Sequence, residues 1–283
     1  MSHFVVVVAG DVESQLAPYD EELQVAPYWQ VEVETPATHW AYRSMLDEGL
    51  VTDSPTLEEY LAALRTKYPD AHGPLRIADG KIEEQSTYNP KSRWDWYAIG
   101  GRWDGYFTRR SIDGAPRSEV NVIAAGEIGW AHEHERLALK AEDEFRTLDA
   151  ALRDVDLDYK SWGEMLTFMG CPEAPTDAAR EAYWAQPAIA AARQALPTLI
   201  WDLEKPINAY KQGRTAFIQN EKRRAFIPRA FVIDGEWHER AKMGWFGLDV
   251  TEPMSDEDWH NHVHERLYSV KPETILTAVD CHI

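Results

Sequence analysis

The sequence predicts an α+β protein, built on a two-layer mixed or antiparallel sheet with helices on one face and a helical insertion. Three observations support this class. Residues 4–9 form a continuous, mostly β-branched apolar run, which is typical of a buried strand. Residues 130–157 are rich in Ala, Glu, Leu and Arg, which favours a long helix. Residues 226–279 predict the order strand, strand, helix, strand. We therefore expect one domain over 1–283, with the insertion at 130–210.

The first half of the chain alternates extended and helical signals. Residues 11–30 contain Pro18 and Pro27 and predict a loop, whereas the alternating residues 30–34 predict a half-buried strand. A short helix is expected at 38–48. Ser54 followed by Pro55 is a strong helix start, and an apolar stripe continues to Leu64. The remaining signal is a hairpin over 75–85 that turns at Asp79-Gly80.

The second half gives a strand at 105–109 and then mainly helices. A helical region at 177–196 is broken at Pro187, and Ser255 is the expected N-cap of a last helix that ends near Tyr268. Further strands are expected at 215–219, 226–233, 245–250 and 274–279.

Composition limits the function. The 283 residues carry 48 Asp and Glu against 29 Lys and Arg, a formal net charge of −19. Such a surface repels a phosphate backbone, so direct nucleic-acid binding is not expected. Cationic partners are favoured, and an acidic mimic of nucleic acid stays open as an alternative.

Cysteine usage and hydropathy predict a cytoplasmic protein. Cys171 and Cys281 are too few for a disulfide framework. The N-terminal apolar run is short and has no basic region before it, unlike a signal peptide. No apolar stretch approaches the roughly 20 residues of a membrane helix. We expect no membrane association, and the oligomeric state is left open.

The most unusual stretch is residues 93–107, with three Trp, two Arg and three Gly. Gly100-Gly101 permits positive φ or a close approach to another group. Arg102 suits phosphate, and Trp94, Trp96 or Trp103 can stack on a flat ring. A glycine bend in a sheet, with Trp in the core, explains the same residues equally well. The glycine spacing matches neither a P-loop nor a dinucleotide-binding fingerprint.

Two other clusters carry reactive side chains. In residues 234–247, a turn is followed by His238 and Trp245; His238 is a candidate base, although a lone His beside Trp is more often structural. At the C-terminal end, Asp280 and His282 share a strand face while Cys281 points away. A satisfied buried Asp is the simpler interpretation of Asp280.

Metal binding has weaker support, and we assign no metal ligands and no cofactor. His260 and His264 are spaced to share a helix face, but Asn261 stands where a His-Glu-x-x-His motif needs Glu. His132 and His134 have a spacing that suits chelation poorly. Both pairs are expected to be exposed polar faces.

Three segments together resemble a family of proteins encoded by tailed bacteriophages and by bacteria carrying related elements, actinobacteria among them. They are Trp-Asp-Trp-Tyr-Ala-Ile-Gly-Gly-Arg-Trp at 94–103, residues 234–247 with Asp-Gly-Glu-Trp-His-Glu-Arg and Met-Gly-Trp-Phe-Gly, and Thr-Ala-Val-Asp-Cys-His-Ile at 277–283. The resemblance does not extend clearly over the acidic helical middle. It implies a virus-linked, intracellular accessory protein, located in the host cytoplasm if it is phage-encoded, and it supplies no catalytic residues.

The leading functional hypothesis is that the three clusters converge on one cleft that binds a small anionic ligand, most naturally a nucleotide. The ligand-binding residues are expected to be Trp94, Trp96, Gly100, Gly101, Arg102, Trp103 and Trp245, with His238 and Asp280 as catalytic candidates if the ligand is hydrolysed. The alternative is a non-enzymatic protein whose acidic surface binds or inhibits a host protein. A weaker third hypothesis is a zinc-dependent hydrolase that uses Asp280, His282 and His238.

Overall fold

The computed structural model describes residues 2–70, 72–111, 118–170, 176–199, 202–242 and 251–283. The described strands are β1 (His3–Ala9), β2 (Tyr28–Val33), β3 (Leu75–Ala78), β4 (Lys81–Ser86), β5 (Trp96–Ile99), β6 (Phe107–Thr108), β7 (Glu119–Val120), β8 (Val122–Ala124), β9 (Ala230–Ile233), β10 (Glu236–Glu239) and β11 (Ile275–His282). The α-helices are α1 (Val12–Leu16), α2 (Tyr42–Asp47), α3 (Leu57–Lys67), α4 (Trp130–Leu152), α5 (Trp162–Phe168), α6 (Asp177–Trp184), α7 (Pro187–Ala195), α8 (Glu204–Lys211), α9 (Arg214–Lys222) and α10 (Asp256–Arg266).

The chain divides into two compact units, where the sequence predicted one domain. The smaller unit contains residues 16–96 and 282–283, and the larger contains 2–15 and 97–281. Since one domain can contain two compact units, the domain expectation stays a prediction.

The smaller unit is a three-stranded antiparallel sheet in the order β2-β4-β3, with α2 and α3 contributing to its core. Ile82, Tyr60 and Leu64 are fully buried there, so the sheet and α3 cover each other's apolar faces. The N-cap of α3 is Thr56, not the expected Ser54, because Thr56 and Glu59 form a reciprocal capping box.

The larger unit is built on a six-stranded sheet. The strand order is β10-β9-β1-β11-β5, and β8 also pairs with β11. β1 runs parallel to β9, whereas β10 is antiparallel to β9 and β8 is antiparallel to β11. The sheet is therefore mixed. In β1, all residues from Phe4 to Ala9 are buried, as the continuous apolar run predicts.

The long helical segment lies between β8 and β9 in the chain. Helices α4 to α9 occupy residues 130–222, and α4, α7, α8 and α9 share a core that contains Leu148, Leu152 and Ile189. A second core beside the sheet contains Phe107, Phe231 and Trp259. Together, the mixed sheet and the helices confirm the α+β class.

Several local predictions are corrected. Residues 215–219 belong to helix α9 and not to a strand, because Phe217 packs into the helical core rather than into a sheet. The strand expected at 226–233 begins only at Ala230, since Phe226 has a positive φ of 51°. The strand expected at 245–250 lies outside the described residues. No helix in the described part of the chain is long and apolar enough to cross a membrane.

Candidate functional site

The Gly100-Gly101 turn connects β5 to a short 3₁₀ turn, Gly101–Trp103. Both glycines have positive φ, 74° and 55°, which other residues adopt only with strain. A Cβ on Gly100 would lie 2.3 Å from the Asn121 side chain, and a Cβ on Gly101 would lie 2.5 Å from the Asp280 carboxyl oxygen. The turn therefore needs glycine both for its backbone conformation and for close approach to two polar side chains.

Asp280 supports this turn from inside the protein. Only 2% of the residue is exposed, and its carboxylate accepts hydrogen bonds from the Arg102 amide at 3.0 Å and pairs with His3 Nδ1 at 2.9 Å. An anion at a glycine turn is expected from the backbone amides. Here one of those amides is already bonded to the protein's own carboxylate, so Asp280 positions the turn. Its neighbour Cys281 is fully buried, and burial raises the pKa of the thiol.

The predicted indoles have different environments. Trp94 belongs to the smaller unit, is 8% exposed and donates from Nε1 to the Leu16 carbonyl at 3.1 Å, so it is a core residue. Trp96 is 50% exposed. Trp103, in the larger unit, is half-buried. Trp245 lies outside the described residues.

His238 sits opposite Phe231 in the β9-β10 ladder, and the two rings stack with centroids 4.5 Å apart. Its Nδ1 lies 3.1 Å from His262 Nε2, and its Nε2 is 3.7 Å from a carboxyl oxygen of Glu236. Burial lowers the pKa of His238, and the nearby His262 and Arg266 lower it further, against the effect of Glu236. A neutral imidazole at pH 7 follows.

The lowered pKa of His238 has a consequence for stability. Because the unfolded chain binds a proton near pH 6.5 and the folded imidazole resists it, this group stabilises the fold above pH 6.5 and loses that effect as pH falls. We expect the free energy of unfolding, measured with urea from pH 7.5 to 5.5, to fall less steeply in His238→Gln than in the wild type. His134, His260 and His264 also have lowered pKa values, so some slope remains. An unchanged slope would contradict the assignment.

The structure does not bring Arg102 and His238 together. Arg102 follows β5 and His238 lies on β10, the two ends of the described strand path. Four strand spacings correspond to roughly 19 Å. Asp280, on β11, is separated from His238 by β1 and β9. These are two of the three residues considered for a zinc hydrolase, so the strand order does not bring that set together either.

The histidines of α10 are not the exposed polar face that the sequence predicted. His264 packs against Trp130, with ring centroids 5.5 Å apart, and burial lowers the pKa of its imidazole. His134 contacts the same indole from α4 at 5.9 Å. The contact between Trp130 and His264 therefore helps to join α4 to α10, whereas the contact of His134 with Trp130 lies within α4.

A cleft of about 620 Å³ lies in the larger unit, and residues of α8, α9 and α10 contribute to its walls. Its charged residues are the acids Glu144, Asp202, Glu221, Asp256 and Glu257 and the bases Lys205, Arg223 and Arg224, besides His260. Burial, and then Glu221, raise the pKa of Glu144, whereas burial lowers the pKa of His260. The excess of acids favours a cationic group in this cleft. None of the residues predicted for the site lines it.

The group of side chains best suited to a metal in the described chain was not predicted. Glu32, His72 and Glu84 of the smaller unit offer ligand atoms that all lie within 4.8 Å of one another. They are far apart in sequence and match no local motif. Only the pairing of β2 with β4 could have suggested that the two glutamates are neighbours.

Comparison of the chain with protein-family profiles, with curated proteins and with solved structures gives no match. The function is therefore inferred from the residues of this chain and from their geometry.

Proposed function

We propose that this protein binds a small anionic ligand, most naturally a nucleotide, at the surface formed by Arg102 and Trp103. The observation that supports the proposal most directly is the environment of the Arg102 side chain. Its side chain is exposed, and no carboxylate of the described residues lies within ion-pairing distance of it. In a chain of net charge −19, most arginines have an acidic partner close by. An exposed guanidinium without one is available for a ligand.

The turn that carries Arg102 is fixed on both sides. Its amide is bonded to buried Asp280, and a few residues later the Gly105 amide donates to Asn121 Oδ1 at 2.7 Å. Asn121 in turn donates from Nδ2 to Asp104 at 2.6 Å. A guanidinium on a rigid turn loses less conformational entropy on binding than one on a mobile loop.

The chemistry of the two side chains suits a nucleotide. A guanidinium can donate two parallel hydrogen bonds to phosphate oxygens. The half-buried indole of Trp103 offers an apolar face on which a base can stack. Both groups occur on consecutive residues of one fixed turn, so a single small ligand can reach both.

The geometry favours binding over hydrolysis. Asp280 is buried and holds the backbone, and His238 is several strands away, so neither catalytic candidate is placed to act on a ligand at Arg102. A bacteriophage-type accessory protein of this kind would sequester a nucleotide signal of its host. We infer this use, the sequestration of a host signal, from the sequence resemblance to bacteriophage-encoded proteins.

The acidic cleft supports a second function, the binding of a host protein through a basic segment. Five acidic residues against three basic ones line it, and Glu257 is 71% exposed in its side chain. An exposed cluster of this sign attracts cations over several ångströms.

A thermal-denaturation panel of mono-, di- and cyclic nucleotides tests the first function. A ligand at about 100 times its dissociation constant should stabilise the wild type by about 2.7 kcal/mol. Arg102→Ala should weaken binding roughly tenfold or more, because a charged hydrogen bond contributes about 1.5–3 kcal/mol. Arg102→Lys keeps the charge but loses the planar fork, and should bind with intermediate strength.

Arg110→Ala is the matched control, since Arg110 is another exposed arginine of the same unit. It removes the same charge and should leave the ligand-induced stabilisation intact. If Arg102→Ala and Arg110→Ala lose the ligand-induced stabilisation equally, net charge alone explains the loss, and this would contradict the assigned site. If no nucleotide stabilises the wild-type protein, host-protein binding is the better-supported function.

A further inference from the structure

The imidazole of His72, in the loop between α3 and β3, packs against the Trp40 ring but makes no hydrogen bond within the described chain. Its side chain is only 7% exposed. Nε2 is buried and has no hydrogen-bond partner within the described chain. Nδ1 lies 3.7 Å from Glu32 Oε1 and 3.9 Å from Glu84 Oε1, beyond hydrogen-bonding distance in both cases. Buried polar atoms are nearly always bonded. Here Nδ1 faces two carboxylate oxygens at separations that suit a shared cation better than a direct hydrogen bond, and Nε2 lacks a partner on the other side of the ring.

Backbone features bring the three side chains together. The ladder between β2 and β4 shifts register between Val31 and Val33, which leaves Glu32 as the extra residue of a β-bulge. Bulges re-aim a side chain relative to a regular ladder. On the other side, the Gly73 amide donates to Glu84 Oε1 at 2.6 Å and so ties the His72 loop to β4. A Cβ on Gly73 would lie 2.4 Å from the Gln85 carbonyl oxygen, so this close approach requires glycine.

We propose that Glu32, His72 and Glu84 bind a divalent transition-metal ion, with Zn²⁺ as the favoured ion. One imidazole nitrogen and two carboxylate oxygens form a mixed donor set that suits zinc. Zinc holds such atoms at about 2.0–2.2 Å, which places two tetrahedral ligands about 3.4 Å apart. The two His72–carboxylate separations of 3.7 and 3.9 Å need to close by a few tenths of an ångström. The two carboxylate oxygens lie within 4.8 Å of each other and need to close by at most about 1.4 Å, which side-chain rotation can supply. Among divalent ions, Zn²⁺ binds such a site more tightly than Mn²⁺.

A second layer of hydrogen bonds orients one ligand. His39 is 9% exposed, and its Nε2 lies 3.1 Å from Glu32 Oε1 while its Nδ1 lies 2.9 Å from the Tyr60 hydroxyl. Burial raises the pKa of Tyr60 to about 12, so the phenol keeps its proton. The Glu32 carboxylate can only accept, so His39 Nε2–H donates to it, and in the neutral imidazole Nδ1 then accepts from the Tyr60 hydroxyl. Support of this type behind a ligand is usual at protein metal sites.

Three protein ligands leave a coordination position open. Next to the cluster, a small cavity of about 270 Å³ is lined by His72 and Gly73 together with Arg65 and Tyr68. Open positions of this kind hold water or a small ligand at zinc sites. The site is thus built to expose one face of its ion rather than to enclose it.

Titration of chelator-treated full-length protein with Zn²⁺ alone, followed by calorimetry and elemental analysis, tests the proposal. We expect about one zinc per chain in the wild type, weaker binding of Mn²⁺ and none of Mg²⁺ under the same conditions. His72→Ala and Glu84→Gln should each lower the zinc affinity at least tenfold, and His39→Ala should lower it by a smaller factor. Far-UV circular dichroism and urea unfolding establish that each variant is folded.

Glu83→Gln is the matched control, because Glu83 is adjacent on β4 but is paired with Arg76. It should bind zinc like the wild type. Absence of stoichiometric zinc in the wild type would overturn the proposal. So would full binding by the double variant His72→Ala/Glu84→Gln, since the ion would then sit elsewhere. The nucleotide panel reports on Arg102 independently, so either proposal can fail without the other.

Discussion

Replacement of Gly101 by alanine is expected to destabilise the larger unit by about 2–5 kcal/mol, because two costs add. A non-glycine residue at a φ of 55° costs about 1–2 kcal/mol. The new methyl group would also lie 2.5 Å from Asp280, and such overpacking costs typically 1–3 kcal/mol. Moving the carboxylate to relieve the overlap would break its hydrogen bond to the Arg102 amide. Stability is lost whichever group shifts.

Gly235→Ala separates these two costs. Gly235 has a similar φ of 76°, but nothing lies within 4 Å of an added Cβ. Urea unfolding should therefore show a loss of only about 1–2 kcal/mol for Gly235→Ala. Similar losses in the two variants would mean that Asp280 does not fix the turn. The same comparison in the nucleotide panel would show whether a displaced turn still presents Arg102.

Phe231→Ala is expected to cost about 3–5 kcal/mol, the usual range for removing a buried aromatic ring. Phe231 is fully buried beside Trp259 in the core next to the sheet. Its ring also covers His238, with an interplanar angle of 13°. Water that enters the vacated space should solvate the imidazolium, so the pKa of His238 should rise toward its ordinary value.

Urea unfolding and an NMR titration of His238 measure these two effects separately. Phe231→Leu keeps most of the volume and should cost less than about 1.5 kcal/mol. If the pKa of His238 stays unchanged in Phe231→Ala while stability falls, the ring fills the core without controlling the imidazole. A loss below about 1 kcal/mol would mean that the core closes around the cavity.

The fold class and the buried strand β1 could be predicted because their signals are local and repeated. Successive residues of β1 repeat the same apolar, strand-favouring character, and successive turns of α4 repeat the same helix-favouring composition. The segment at 215–219 misled because a short, mostly apolar run that contains β-branched residues fits a strand and a helix face equally well. Only the packing of Phe217 in the helical core decides between them.

The candidate sites were harder to predict than the elements. The Gly100-Gly101 pair indicates an unusual backbone conformation, and the structure has a positive φ at both residues. That the Arg102 amide at this turn is bonded to Asp280, 178 residues away, follows from the sheet and not from any local pattern. Likewise, nothing in the sequence signals the bulge at Glu32, and without it the relation of Glu32 to His72 cannot be inferred.

The position of β11 has a consequence for how the chain folds. This strand lies between β1 and β5, and a side-chain contact links it to β1 across 277 residues. Long loops must close before such contacts form, so the central sheet is expected to assemble slowly. The helices of residues 130–222 pack on one another through contacts that span shorter stretches of chain, such as Arg214 with Glu142 across 72 residues, and can form earlier. Until β11 docks, β1 exposes an apolar edge, which makes the partly assembled chain prone to aggregate.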